Sequence, residues 1–379
     1  MTNPTIPFID LATQQKRIRD KVDAAVTKVL DHGQYILGPE VAQLEKEMAA
    51  FSGVKHAIAC SNGTDALTLC LMAKNVGPGD VVVCPSFTFA STAEVVAQLH
   101  ATPLFVDIDE DSYNLDPEKL KAALSEAKAA GHNVVGVISV DLFGQPADYD
   151  AIEAIVHAAG LWLLCDAAQG YGGVYKGRKV GTIGDFTTTS FFPAKPLGCY
   201  GDGGAIYTND DETADLLRSL LFHGKGSDRY DNVRIGMNGR LDTIQAAVLI
   251  EKLAIFPEEI VSRNEVADRY NNGLSNVVKV PRIAEGSTSV WAQYVVRAPG
   301  KDRQKILSYL SSRGVPTAVY YPKPLHQQTA YKDYPQASAG LPVSETVAQD
   351  VFALPMHPYL DEETQRYIIE QVTEAVRLA

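Results

Sequence analysis

Between residues 56 and 166, short β-rich runs alternate with amphipathic segments, and this alternation restricts the possible fold more than any other feature of the chain. The runs are HAIAC (56–60), VVVCP (81–85), PLFVDI (103–108), VVGVISV (134–140) and LWLLCD (161–166). Between them lie DALTLCLMAKN, STAEVVAQLH, PEKLKAALSEAKAA and DYDAIEAIVHAAG, whose apolar residues recur at helical spacing. Strands joined through helices imply right-handed crossovers and a mainly parallel sheet covered on both faces. The fold class is therefore α/β. Ligands of such sheets sit at the carboxyl ends of the strands, which places the chemistry just beyond Cys60, Pro85 and Cys165.

Two helices, over about 13–31 and 39–52, precede the alternating region, the second opening with Pro39 at a favoured first-turn position. After it, LDTIQAAVLIEKLAIF (241–256) and EEIVSRNEVADRYNNGL (258–274) predict two long helices. VWAQYVVRA and TAVYY predict strands, and 301–313 and 361–377 predict helices. At 379 residues the chain is too long for one small core. The pattern divides it into a large domain, residues 1–254, and a smaller C-terminal α/β domain, residues 255–379.

Composition excludes several functions. A formal charge of −12 argues against nucleic-acid or anionic-membrane partners, which need concentrated positive charge. No apolar run approaches the ~20 residues needed to span a bilayer. The opening residues lack the charged and apolar regions of a signal peptide, so a cytoplasmic location is expected. The five cysteines form no C-x-x-C pair. Four of them (Cys60, Cys70, Cys84, Cys165) lie in apolar runs as buried free thiols, with Cys199 the exception beside Lys195. The eight histidines have no metal-ligand spacing, so no metal site is expected.

Chemistry concentrates in three stretches. In SFFPAKPLGCYGDGGA (190–205), Lys195 sits in a loop between Pro193 and Pro196, ahead of four glycines. The prolines bar a helix interior and the glycines permit turns closed to other residues. A solvated lysine needs no such scaffold, so this one is aimed at something. SNGTDAL (61–67) runs from the first strand into a helix, offering N–H groups to an anion, although a plain Asn-Gly turn and cap fits it equally. CDAAQGYGG (165–173) closes a buried strand with Asp166, an expensive place for a carboxylate without a cationic partner. Asp166 as a cap of the next segment is the competing reading. Gln169 follows three residues later.

A constrained lysine, an acid at a strand end, phosphate donors and an aromatic segment (SFTFAST, 86–92) share one explanation. Pyridoxal phosphate needs a lysine amine for its aldehyde, an acid for its ring nitrogen and a cradle for its phosphate. A flat aromatic face can cover its ring.

The chain resembles the DegT/DnrJ/EryC1/StrS family of sugar-nucleotide aminotransferases from PFIDLATQQ, through LDHGQYILGPEVAQLEKEMAAFSGVKHAIACSNGTDAL, to LPMHPYL. The resemblance implies the aspartate-aminotransferase-like, fold type I architecture. It makes Lys195 the residue that binds the cofactor aldehyde and Asp166 the partner of the ring nitrogen. Gln169 matches the ring-hydroxyl contact, Phe89 the stacking position, and Gly63, Thr64 and Ser190 the phosphate ligands. In GMNGRLDTIQAA (236–247), Asn238 matches a residue lent to the phosphate of a neighbouring subunit, which implies a homodimer with shared active sites. One branch of the family has histidine in place of the lysine and removes a sugar hydroxyl; Lys195 sets this chain apart from it.

FFPAKPLGCYGDGGA and YYPKPLHQQTAY (320–331) are similar to family members that act at carbon 3 of UDP-linked 2-acetamido-3-keto sugars, including the glucuronate form. Such enzymes usually take the amino group from L-glutamate and serve surface-polysaccharide synthesis. Enzymes of dTDP-3-keto-6-deoxyhexoses or of carbon 4, and a non-catalytic regulator, are the alternatives. For substrate, the polar loop HGKGSDRYDNVRIGMNGR (223–240) offers Arg240 and Arg229 as carboxylate contacts, because guanidinium pairs with carboxylates bidentately. Tyr321 and His326 are candidates for the sugar pocket, a surface turn being the other reading of YPKPLH.

Overall fold

The computed structural model describes residues 6–228 and 230–379. Its centre is a seven-stranded sheet built from β1 (His56–Cys60), β2 (Asp80–Pro85), β3 (Thr102–Val106), β4 (Asn133–Val140), β5 (Trp162–Asp166), β8 (Phe186–Ser190) and β9 (Gly204–Thr208). The spatial order is β1-β9-β8-β5-β4-β2-β3. β9 runs antiparallel to β1 and β8, and the pairings from β8 to β3 are parallel. Six strands thus end at one edge of the sheet, where β9 begins. Two smaller sheets lie outside it: β6 (Val174–Tyr175) with β7 (Arg178–Lys179) and β10 (Ser287–Thr288), and β11 (Tyr294–Arg297) with β12 (Val351–Leu354).

Alternation along the strands builds a core on each face. Ile58, Cys60, Val82, Cys84, Ile138, Leu164 and Ile206 pack beneath α3 (Gly63–Ala73), α4 (Ser91–Gln98) and α7 (Asp211–Leu220). On the other face, Val83, Val137, Leu163 and Cys165 meet α5 (Pro117–Ala129) and α6 (Tyr149–Ala158). Ala57, Ala59, Ala205 and Tyr207 meet α2 (Pro39–Ser52) and α8 (Thr243–Leu274). α1 (Leu11–His32) lies against α8. A separate apolar core joins the C-terminal half of α8 to β11, β12, α9 (Arg303–Ser312) and α11 (Glu362–Leu378). Among the described residues no helix is long and apolar enough to cross a membrane.

Three expectations need correction. The two helices over 241–256 and 258–274 form one 32-residue helix, α8, with Pro257 inside it. The division proposed between 254 and 255 therefore falls within a continuous helix. TAVYY forms no strand and touches the small sheet through a single bridge, Ala318 to Ala353. Cys199 is as buried as the other four free cysteines.

Candidate active site

The shared edge of the sheet gathers the predicted residues. Along β5, Leu164 lies in the core beneath α3 and α4 while Cys165 belongs to the opposite one. Asp166, two residues beyond Leu164, turns to the α3/α4 side. There the Thr92 hydroxyl, on α4, donates to Oδ2 at 3.2 Å, and the Ala168 N–H donates to Oδ1 at 3.1 Å. Burial pushes the Asp166 carboxyl above its ordinary range, opposed by the Ala168 N–H, the Lys195 charge and the Thr92 hydroxyl.

Lys195 faces this carboxylate from a tight loop closed by Lys195 N–H to Phe192 O (2.8 Å) and Cys199 N–H to Phe191 O (2.8 Å). A Cβ at Gly198 would stand 2.6 Å from the carbonyl oxygens of Phe192 and Pro193, so the loop closes only over a glycine. Desolvation lowers the Lys195 pKa and the charge of Asp166 opposes that fall. The loop thus holds a desolvated amine within the electrostatic reach of a buried acid.

Beside them, Asn62 caps α3 by accepting the Asp65 N–H at 2.8 Å. The first N–H groups of the helix, those of Gly63 and Thr64, have no intrahelical partner, as at any helix start. The Thr64 hydroxyl lies 2.7 Å from that of Ser91. A Cβ at Gly63 would meet the Cβ of Ser190 at 2.7 Å, so only a glycine lets the start of α3 approach the end of β8 this closely. Phe89, 57% exposed, stands at the same edge with its ring uncovered.

Gln169 is oriented from both ends. Its Oε1 accepts the Phe143 N–H at 2.7 Å, and its Nε2 donates to the Tyr321 hydroxyl at 3.1 Å. Only this amide orientation satisfies both, since the oxygen accepts and the nitrogen donates. The Tyr321 ring meets Phe87 edge-on at 5.9 Å. Burial pushes its hydroxyl pKa up.

Of the other predicted residues, His326 is turned away from open space. Its Nδ1 lies 2.7 Å from Ser86 Oγ and its Nε2 lies 3.0 Å from Glu345, which leaves neither nitrogen for a ligand. The expectation of a direct sugar contact gives way here to a tie between the end of β2 and α10 (Pro342–Asp350). Arg240 donates through Nε and Nη2 to Asn238 Oδ1, and its guanidinium lies over Phe222 at 5.0 Å. Both belong to the segment that closes on β1 through Ser61 N–H to Gly239 O (2.9 Å). Arg229 lies outside the described residues.

Residues 86–92 carry more of the site than their sequence suggested. Ser86 meets His326, Phe87 meets Tyr321, Thr88 meets Thr92, Ser91 meets Thr64, and Thr92 meets Asp166. Thr188 was missed as well: it pairs with Asp166 across β8 and β5, and its buried hydroxyl has no hydrogen-bond partner. The available signal was the rule placing chemistry beyond Pro85; the wealth of hydroxyls following it was not used.

These residues fit pyridoxal phosphate. An acid and a desolvated amine act on each other, a glycine brings a helix start close to the hydroxyls of Thr64, Ser91 and Ser190, and the Thr188 hydroxyl, on the residue paired with Asp166, has no partner. Among the described residues no cluster has the composition of a metal site.

Comparison with known proteins agrees. The model of the DegT/DnrJ/EryC1/StrS aminotransferase family matches residues 16–373. A UDP-2-acetamido-2-deoxy-3-oxo-D-glucuronate aminotransferase of Pseudomonas aeruginosa is 50% identical over 97% of this chain and 99% of its own. The crystal structure of a DegT DnrJ EryC1 StrS aminotransferase from Brucella abortus superposes with a TM-score of 0.96 at 52% identity, covering 97% of this chain and 99% of that one. A Bacillus subtilis structure with bound cofactor PMP superposes at 0.89 and 28% identity, covering 99% of this chain and 85% of that one.

Proposed function

Since this chain belongs to the DegT/DnrJ/EryC1/StrS aminotransferase family, we propose that it moves an amino group from L-glutamate to carbon 3 of a UDP-linked 2-acetamido-2-deoxy-3-oxo sugar, in the glucuronate form. The observation that carries the reading is the electrostatic coupling of Lys195 with the buried Asp166, at the sheet edge where Gly63 lies close against Ser190. The likeness to the Pseudomonas relative supports the choice of sugar.

Pyridoxal phosphate, when bound, supplies a carbonyl that exchanges for an amine and a ring that draws electron density from the carbon losing its proton. Lys195 Nζ would hold that carbonyl. As a free amine it would carry a proton to and from the substrate carbon, and its lowered pKa leaves a larger neutral fraction to do so. Asp166 keeps its negative charge against the ring nitrogen and so retains the proton there. Gln169 would donate toward the ring hydroxyl, Phe89 would cover the ring, and Gly63, Thr64 and Ser190 would hold the phosphate. Arg240 receives a carboxylate, of glutamate or of the uronate. Tyr321 lines the sugar side, and His326 holds the Tyr321 segment by its ties to Ser86 and Glu345.

We read the active unit as a homodimer in which Asn238 reaches the partner's phosphate. Support comes from apolar side chains left exposed around the site, among them Ile36, Phe192, Val233 and Ile235.

The test is a competition of acceptors. Protein charged with L-glutamate is offered the UDP-linked 3-oxo-glucuronate, its neutral glucose counterpart and a dTDP-3-keto-6-deoxyhexose, with amino-sugar formation followed by mass spectrometry. The glucuronate is expected to be aminated fastest. Preference for the dTDP sugar overturns the substrate assignment.

A further inference from the structure

Thr92 is fully buried on α4 and shares its hydroxyl between two partners: Asp166 Oδ2 at 3.2 Å and the Thr88 hydroxyl, also at 3.2 Å. A hydroxyl has one hydrogen to give. An ionised carboxylate only accepts, so the Thr92 hydrogen points to Asp166 and Thr88 donates to Thr92. The result is a directed relay, Thr88 to Thr92 to Asp166, in a dry part of the α3/α4 face. With the Ala168 N–H on Oδ1, each carboxylate oxygen receives one donor from the protein, which fixes the plane of the group.

From this geometry we infer that Thr92, backed by Thr88, is a positioning residue that orients Asp166 and holds it ionised at the cofactor. The inference rests on the reading of Asp166 as the partner of the ring nitrogen.

Three other groups act on the same carboxylate. Lys195 faces it from the 192–199 loop and favours the charge. Asp141, just beyond β4, donates its N–H to the Asp166 carbonyl at 3.0 Å, and its own carboxyl, held by Tyr149 and the Ala147 N–H, is pushed up to about 7 by burial and by the Asp166 charge. The buried Tyr321 hydroxyl lies on the Gln169 side. Against burial, the hydroxyl of Thr92 is a neutral donor that helps offset desolvation. Removing it raises the pH at which Asp166 takes up a proton.

The experiment reads the absorbance of the bound cofactor against pH, together with the affinity of apoprotein for pyridoxal phosphate, in Thr92→Val, Thr92→Ser and Asp166→Asn. Loss of a hydrogen bond to a charged group is expected to move the low-pH inflection of Thr92→Val upward by about 1–2 units. Its cofactor affinity should fall about tenfold, while Thr92→Ser stays near wild type. If Thr92→Val does not fold, Thr92→Ala is read in its place with the same expectation. An unmoved inflection in the hydroxyl-less variant, or an equal shift in Thr92→Ser, overturns the role of Thr92. A native spectrum and pH profile in Asp166→Asn instead overturns the reading of Asp166 itself, so the two failures are distinguishable.

Discussion

At the residue scale, Lys195 shows how a local sequence can carry a chemical role. Two prolines, a glycine at which a Cβ would meet two carbonyl oxygens at 2.6 Å, and a desolvated amine lie within a few residues of one another. Replacing it by alanine removes the proposed proton carrier and leaves Gly63, Thr64 and Ser190 in place. Lys195→Ala is therefore expected to bind pyridoxal phosphate yet lose amino transfer by several orders of magnitude, as measured by 2-oxoglutarate release. In the wild type, borohydride should fix the cofactor to the peptide containing Lys195. Labelling of any other lysine contradicts the assignment. His326 is the counter-example. Its sequence surroundings suggested a ligand contact, whereas its ring nitrogens are occupied by Ser86 and Glu345, one of them 240 residues away along the chain.

At the scale of elements, α8 is where local propensity and the fold disagree most. Pro257 removes a backbone hydrogen bond and crowds the carbonyl four residues earlier, which is why the sequence reads as two helices. The helix persists because α2 and α1 pack on its first half and α11 on its second. It also buries Lys252, 1% exposed, whose ammonium lies 4.3 Å over the Tyr200 ring. Burial lowers its pKa to about 8 from an ordinary 10.5, with Glu259 opposing. Between those two values the unfolded chain binds more protons than the folded one, so this residue makes stability rise with pH from about 8 to 10.5. Below pH 8 the full cost is present, roughly 3 kcal/mol. The ring contact offsets about 1 kcal/mol of it. Lys252→Met should thus stabilise the protein by about 2 kcal/mol at pH 7. The gain should shrink as the pH approaches 10.5. Urea unfolding at both pH values measures it, and a gain independent of pH contradicts the account.

At the scale of the whole molecule, the proposed homodimer can be tested. Asn238 and Arg240 sit on a segment tied to the end of β1, with exposed apolar residues beside it. If Asn238 completes the partner's site, Lys195→Ala and Asn238→Ala defects lie in different sites of a mixed dimer. One site then carries both defects and the other neither. Mixing the two inactive variants under verified subunit exchange is expected to restore up to about half the wild-type activity per mixed dimer. No recovery, with Asn238→Ala alone clearly impaired, places Asn238 in its own chain's site.

What the sequence determined by itself was whatever a short window can encode. Period-2 and period-3.6 patterns specify strands and helices, their alternation specifies the sheet, and the prolines and glycines around Lys195 specify a local turn. Strand-end geometry then brought Asp166, Gln169, Gly63, Thr64 and Ser190 to one edge without further information. Tertiary structure decided the rest. Thr92 meets Asp166 across 74 residues and His326 meets Ser86 across 240, pairings that depend on the packing of α4 and of the C-terminal segment against the sheet edge. No window contains both partners of such a contact. A buried threonine reads as a neutral helix residue until packing places a carboxylate against it. The continuity of α8 through Pro257 has the same cause, since packing on both halves outweighs a local penalty that the sequence alone presents as decisive.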